Sequence, residues 1–249
     1  MELKEFHKLK LEDNHYYFTN TRDFTPLIFS NEEAITACFN FAYEMTFGDN
    51  GQHRDHRSGG SVHRKNGEIF TNAFQGKLAE FIFYYYYKEH YSNHISKPDL
   101  DCWELGKWDF LDFITIKNNE EKKVAIKSAK HFANLLLLET KDWNDKGIYL
   151  PNKNCKYDGI VLVRLDDFVT ELMKKNRIFY NDSCEKHFLE KLLLNNKNIK
   201  YDIPGFISNT DLIQIINDKH IIKKDFYIGD KTRIDAENYY VQAGDLREF

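Results

Sequence analysis

Long apolar runs, paired cysteines and an excess of positive charge are what this sequence has little of. No apolar run approaches the roughly 20 residues that a membrane-spanning helix requires. The opening MELKEFHKLKLEDNHYYF has no apolar h-region of a signal peptide. The expectation is therefore a soluble, cytoplasmic chain with no membrane partner. The four cysteines, Cys38, Cys102, Cys155 and Cys184, are far apart and form no CxxC pair. That spacing argues against a zinc knuckle or a disulfide framework and suits a reducing compartment. Positive charge is not in surplus either, with 35 basic against 39 acidic residues and a formal net charge of -4. The overall field thus does not announce a polyanionic partner. It does not exclude one, because a metal site adds carboxylates and phosphate contacts can be local. Internal repeats and low-complexity linkers are also missing.

What is present suits a single domain over residues 1–249. Hydrophobic residues make up 42% and aromatics 15% of the chain, enough for a sizeable core. The charged opening to about Asp23 reads as partly irregular. Residues 31–45 combine an acidic first turn with apolar residues at helical spacing, which predicts a helix. A polar, glycine-bearing stretch from Gly48 to Gly67 predicts a long loop, and long loops inside compact domains are often functional. Helical spacing returns from Asn72 to about Tyr91, with Phe74, Leu78, Phe81, Ile82 and Tyr85 on one side. The tyrosine run Tyr84 to Tyr87 reads as a half-buried face rather than a stacking platform.

Two strand-like runs follow, Asp112–Ile116 and Lys123–Lys127, with Asn118-Asn119 as a tight turn between them, so the pair reads as a β-hairpin. Tyr157–Leu165 is a nearly continuous apolar run, as expected for the middle of a sheet. Helices are predicted at Asp166–Lys175, Cys184–Leu194 and near Thr210–Asn217, with short strands in the remainder. Leu135–Leu138 is assigned to the core. The fold class is α/β, a central mixed β-sheet flanked by helices.

Folding the hairpin about Asn118-Asn119 sets Asp112 opposite Ala125 and puts Lys127 just beyond the end of the pair. Residues 125 and 127 point to one face, because strand side chains alternate. A carboxylate, its opposing position and a lysine then share one edge of the sheet. Metal-assisted phosphodiester hydrolysis uses such an arrangement. The carboxylate holds Mg²⁺ with the scissile phosphate, and the lysine orients water or stabilises developing negative charge. One or two protein carboxylates suffice for Mg²⁺, which keeps several of its waters.

These residues resemble the PD-(D/E)xK nuclease superfamily and, within it, type II restriction endonucleases. The resemblance runs from about Phe39 to the C-terminus. Gly76-Lys-Leu-Ala-Glu80-Phe lies in a helix ahead of the hairpin, where such enzymes often place an additional acid. Gly106-Lys-Trp-Asp109-Phe-Leu-Asp112-Phe supplies the aspartate at the mouth of the first strand. Val124-Ala-Ile-Lys127-Ser-Ala-Lys130 is similar to the second half of the motif. Tyr239-Tyr-Val-Gln-Ala-Gly-Asp245-Leu also looks like enzymes of this kind, with no chemistry attached to it. The resemblance implies a nuclease core, Mg²⁺ as cofactor, and catalytic positions at Asp112, Lys127, Asp109, Glu80 and residue 125. Asp112 fits the hairpin register best as metal ligand, with Asp109 and Glu80 as further ligands or helpers. Pro98-Asp99 is a literal PD dipeptide but lies upstream in a loop and reads as a decoy.

One departure stands out, because Ala125 occupies the place where the family motif carries an acid. Three explanations fit: an inactivated variant, an acid supplied from Glu80 or Asp109, or a relative that binds DNA without cutting it. The intact surroundings of Ala125 favour the first.

Contacts to double-stranded DNA are expected from two strips. The N-terminal portion, residues 1–70, contributes the first through its loop. The segment from His53 to Lys65 holds four basic residues, one acid and three histidines, a local charge of about +3. Arg54, Arg57, Arg64 and Lys65 can neutralise phosphates, and Ser58 with its glycine neighbours lets backbone approach a groove wall. His53 and His56 lack a cysteine partner and a clear third ligand, which argues against zinc. The second strip is Lys130, His131 and Asn134, just past the hairpin, where an asparagine can pair with adenine. The function expected is a type II restriction endonuclease making Mg²⁺-dependent double-strand cuts at a short site. A palindromic site would imply a two-fold homodimer. A silent DNA-binding relative and a repair or junction-resolving nuclease are the alternatives.

Overall fold

The computed structural model describes residues 4–48, 64–92, 94–101, 112–117, 119–151, 154–195 and 198–249. Its main elements are β1 (Leu27–Phe29), α1 (Glu32–Thr46), α2 (Asn66–His90), β2 (His94–Ile95), β3 (Phe113–Lys117), β4 (Glu120–Lys130) and β5 (Leu135–Glu139). These are followed by β6 (Gly159–Leu165), α3 (Phe168–Lys175), α4 (Lys186–Leu194), β7 (Ile199–Ser208), α5 (Asn209–Asn217) and β8 (Asn238–Gln242). The fold is mixed α/β. A curled six-stranded sheet runs in the order β1-β7-β6-β4-β3-β2, and all its neighbours are antiparallel except β4 and β6. No helix among the described residues is long and apolar enough to cross a membrane.

The hairpin forms in the register read from the sequence. Phe113 pairs with Val124 and Lys117 with Glu120, which leaves two residues for the turn. Asn119 takes a φ of 63°, a left-handed conformation that asparagine tolerates better than most residues. The second strand extends farther than expected in both directions, to Glu120 and Lys130. Strand β6, every residue of which is buried, lies at the centre of the sheet.

Alternation along the central strands builds two cores. Ile126, Val161 and Val163 face the helical layer, together with Phe39 of α1 and Phe70, Phe74, Leu78 and Ile82 of α2. Ala125, Ile160 and Leu162 face the opposite way, onto Leu136, Leu138, Leu212 and Val241. That second layer comprises β5 and β8, which pair antiparallel, and α5. Helix α1 starts at a side-chain cap, with Asn31 Oδ1 accepting from Ala34 N at 2.9 Å, and Glu32 and Glu33 complement the helix dipole.

Three expectations need correction. Helix α2 begins at Asn66 rather than near Asn72, so the end of the expected loop is helical. Its first turn is held by a distant segment: Gly67 N donates to Asn181 O, and a Cβ on Gly67 would lie 2.0 Å from Ile178 O. Tyr85 is not on the buried side of α2, since it is 36% exposed while Phe83 and Tyr84 are buried. The ten-residue strand β7 occupies what looked like a region of short strands. Its Pro204-Gly205 reads as a break, yet the register shifts by one residue opposite Leu162–Arg164, and this bulge absorbs the proline. Gly205 has φ 142°, and a Cβ there would lie 2.1 Å from Arg247 O. The opening is partly irregular, as expected, with Lys10–Glu12 and His15–Tyr17 pairing within it as a short hairpin.

A buried ion pair ties the chain start to the sheet. Arg164 of β6 is fully buried, and its Nε donates to Asp202 Oδ1 of β7 at 2.8 Å. Its other nitrogens donate to Arg22 O and Asp23 O, each at 2.8 Å, and Thr25 N donates to Asp202 Oδ2 at 3.1 Å. Removing one member of such a pair strands the other charge. Asp202→Ala is therefore expected to cost about 3–5 kcal/mol in urea denaturation. A loss below about 1 kcal/mol would mean that the carbonyl contacts alone hold Arg164.

The same segment is fastened to the C-terminus. Asp245 is buried, accepts from His7 N at 3.0 Å and from Asn20 Nδ2 at 2.6 Å, and contacts half-exposed His7 Nδ1 at 2.7 Å. The hydrogen bond and charge of Asp245 raise the pKa of His7. Its contribution to stability is therefore full below the ordinary histidine value and declines as pH rises through the raised one. His7→Gln should flatten that part of the stability profile, measured by thermal melts across neutral pH. An unchanged profile would remove His7 as its source.

Candidate functional site

Asp112 stands immediately ahead of β3, one step beyond the Phe113–Val124 pair, and so opposite Ala125. Its Oδ2 accepts from Ile126 N at 2.6 Å, which locks the carboxylate to the second strand. Burial raises its pKa, opposed by the Ile126 hydrogen bond and then by the Lys127 and Lys77 ammonium groups. Among the described residues Oδ1 receives no hydrogen bond, and neither lysine forms an ion pair with Asp112. A partly buried carboxylate is thus left, among the described residues, with one open oxygen near positive charge.

Ala125 and Lys127 lie on the face opposite α1 and α2, beside Ile160 and Leu162 of β6. Ala125 is 4% exposed and packs in the apolar cluster of Leu136, Ile160 and Leu162. Lys127 is partly exposed and forms no ion pair among the described residues. Glu80 comes from α2, which packs against β4. Its Oε2 lies 2.7 Å from Nζ of Lys77, whose side chain is only 6% exposed. Lys77 is the site residue that motif reading passed over. Its signal was there, a lysine one position before Leu78 on a buried helix face.

The remaining candidates are dispersed. Asp109, Arg54, Arg57 and Ser58 fall outside the described residues, as do His53 and His56. Arg64 and Lys65 precede α2, and Lys65 pairs with Asp182 at 2.5 Å, so its charge serves the helix start. Lys130 is three positions past Lys127, hence on the other face of β4, and lies 3.2 Å from Asp167. The His131 ring packs beside Phe24 and Phe132, and Asn134 Oδ1 accepts from Arg22 N at 2.9 Å. Asp99 Oδ1 accepts from Asp101 N, a local turn bond. Gln242 and Asp245, from the C-terminal segment, hold the N-terminal segment through Thr19, Asn20 and His7.

The donor set at this corner is made of oxygens, which suits a hard cation such as Mg²⁺ rather than zinc. Asp112 Oδ1 is an open donor among the described residues, and Glu80 is linked to Asp112 through Lys77, which pairs with Glu80 and acts on Asp112. Among the described residues no three His, Cys, Asp or Glu side chains gather into a metal-holding group. The fit is therefore to a sparse site that leaves most positions to water or substrate.

An acid at position 125 would enter an apolar cluster beside Lys127. Ala125→Asp is expected to lower stability by about 1–3 kcal/mol in chelator, from desolvation of the new carboxylate. Mn²⁺ or Mg²⁺ should restore part of that loss, because a ligand held only by the folded state stabilises it. Thermal melts of parent and variant, with chelator and with cation, read both effects. Equal melts of the variant in the two conditions would separate position 125 from any cation site. Compared with known proteins, the chain matches no family model, no curated sequence and no solved structure.

Proposed function

We propose that this chain is the scaffold of a Mg²⁺-dependent endonuclease acting on double-stranded DNA, of the type II restriction kind, with Ala125 in place of its second acid. The observation that carries the reading is the register of the β3–β4 hairpin. It sets Asp112 opposite position 125, with Lys127 two residues further on the same face as Ala125. Glu80 on the helix ahead of the hairpin supports it, as does Asp112, partly buried and with Oδ1 open among the described residues.

Divalent cation would supply charge neutralisation of the scissile phosphate and an activated water. Asp112 would hold the cation side of the phosphate, oriented by its bond to Ile126 N. Lys127, with no carboxylate partner among the described residues, would orient the attacking water or stabilise the charge of the five-coordinate phosphorus. Cuts in both strands of a symmetric site would need two copies of the chain.

A second reading is a relative that binds duplex DNA without cutting it. It is favoured by the close packing of Ala125 among apolar neighbours and by the hold of Lys77 on Glu80. Digestion of long unmethylated DNA in Mg²⁺ separates the two. Ala125→Asp or Ala125→Glu is expected to give discrete fragments, and adding Lys127→Ala to abolish them. If every version leaves DNA intact while binding duplex in a salt-sensitive way, the silent reading replaces the nuclease.

A further inference from the structure

Lys77 and Glu80 are three residues apart on α2, so they share one face of the helix. That face is turned inward, and the two side chains are 6% and 13% exposed. A buried ammonium is costly unless paired, and Lys77 is paired closely, at 2.7 Å from Glu80 Oε2. Its Nζ also lies 4.7 Å above the ring of Phe41 from α1, which favours the cation and holds the chain in place. Its charge reaches the hairpin as well. After burial, which dominates, Lys77 is among the groups acting on Asp112. Among the described residues, the charged side chains linked in this way are two carboxylates, Glu80 and Asp112, and two ammonium groups, Lys77 and Lys127. Without any added ion these four formal charges sum to zero.

We propose that Lys77 is the built-in counter-ion of this carboxylate corner, and that a divalent cation must draw Glu80 away from it in order to bind. This rests on the assignment of Glu80 and Asp112 to the cation site. Lys77 is accordingly a positioning residue, acting through Glu80 and touching no substrate. Two consequences follow from the charges alone. Divalent cation binds weakly to the free protein, because Lys77 already holds Glu80 and repels the incoming charge. It binds more tightly with duplex DNA present, because phosphate oxygens restore the balance.

Mn²⁺ serves as the probe, read by its free electron-spin signal on titration, with no DNA and no turnover. Lys77→Met keeps the length and apolar contact of the side chain and removes its charge. It is expected to tighten Mn²⁺ binding by about tenfold or more, the effect of deleting one nearby like charge. Lys77→Arg, which keeps the charge, should bind Mn²⁺ as the parent does. The gain should vanish in Lys77→Met/Glu80→Gln, because the competition runs through Glu80. If Lys77→Met fails to fold, Glu80→Gln in the parent background still tests the idea by weakening Mn²⁺ binding.

The proposal is overturned if Lys77→Met binds no more tightly than the parent, or if its gain survives loss of Glu80. It is equally overturned if no version binds Mn²⁺ saturably. The nuclease reading is judged separately, by DNA cleavage on restoring an acid at position 125. Cleavage without any Lys77 effect on Mn²⁺ would remove this inference and keep that reading. A Lys77 effect without cleavage would do the reverse.

Discussion

The pairing of Phe113 with Val124 is the constraint on which both cores and the candidate site depend. Strand side chains alternate, so a slip of one residue would send every side chain of β4 through the sheet. Ile126 would leave Phe39, Phe74 and Leu78, and Lys127 would be driven into that helical core. Ala125 would leave Leu136 and Ile160 on the other side. The short turn and two apolar faces therefore demand the same register. Asp112 Oδ2 on Ile126 N adds a polar bond at the end of the ladder, where fraying would otherwise begin.

Buried charge is used in two different ways around this sheet. Arg164 and Asp202 form a fork of hydrogen bonds in which both carboxylate oxygens are engaged, and spare nitrogens reach backbone carbonyls. That arrangement is saturated, and its product is position: residues 22–25 are held where β1 can join the sheet edge. The Asp112 corner is not saturated. One carboxylate oxygen is open, Lys127 has no partner acid among the described residues, and the local acid is shared with Lys77. Saturated pairs fix a fold, whereas unsaturated charge at a strand end is available to a ligand.

Much of this was legible in the sequence wherever one local signal dominated. The apolar run of β6, the Asn31 start of α1 and the alternating hairpin each carry their own period and punctuation. Strand β7 was not legible, because Pro204 and Gly205 are breakers by local rules, and only the bulge against β6 makes room for them. The start of α2 was hidden for a related reason. Gly67 weakens a helix in isolation, yet the close passage of Ile178 requires it there. At the site, Asp112 opposite Ala125 could be counted out from the turn. The pairing of Lys77 with Glu80 could not be weighed, since its importance comes from burial, which a motif does not encode.

Ala125 is where fold and chemistry make opposing demands. Its side chain lies in an apolar cluster, and the parallel neighbour in β6 is Ile160. A methyl group satisfies that environment at no electrostatic cost. A carboxylate there would raise the negative charge beside Asp112, whose ionised form burial already disfavours. It would be tolerated only if Lys127 or a cation came to meet it. Position 125 therefore sets whether the corner draws positive charge strongly or weakly, while the hairpin geometry stays the same in either case.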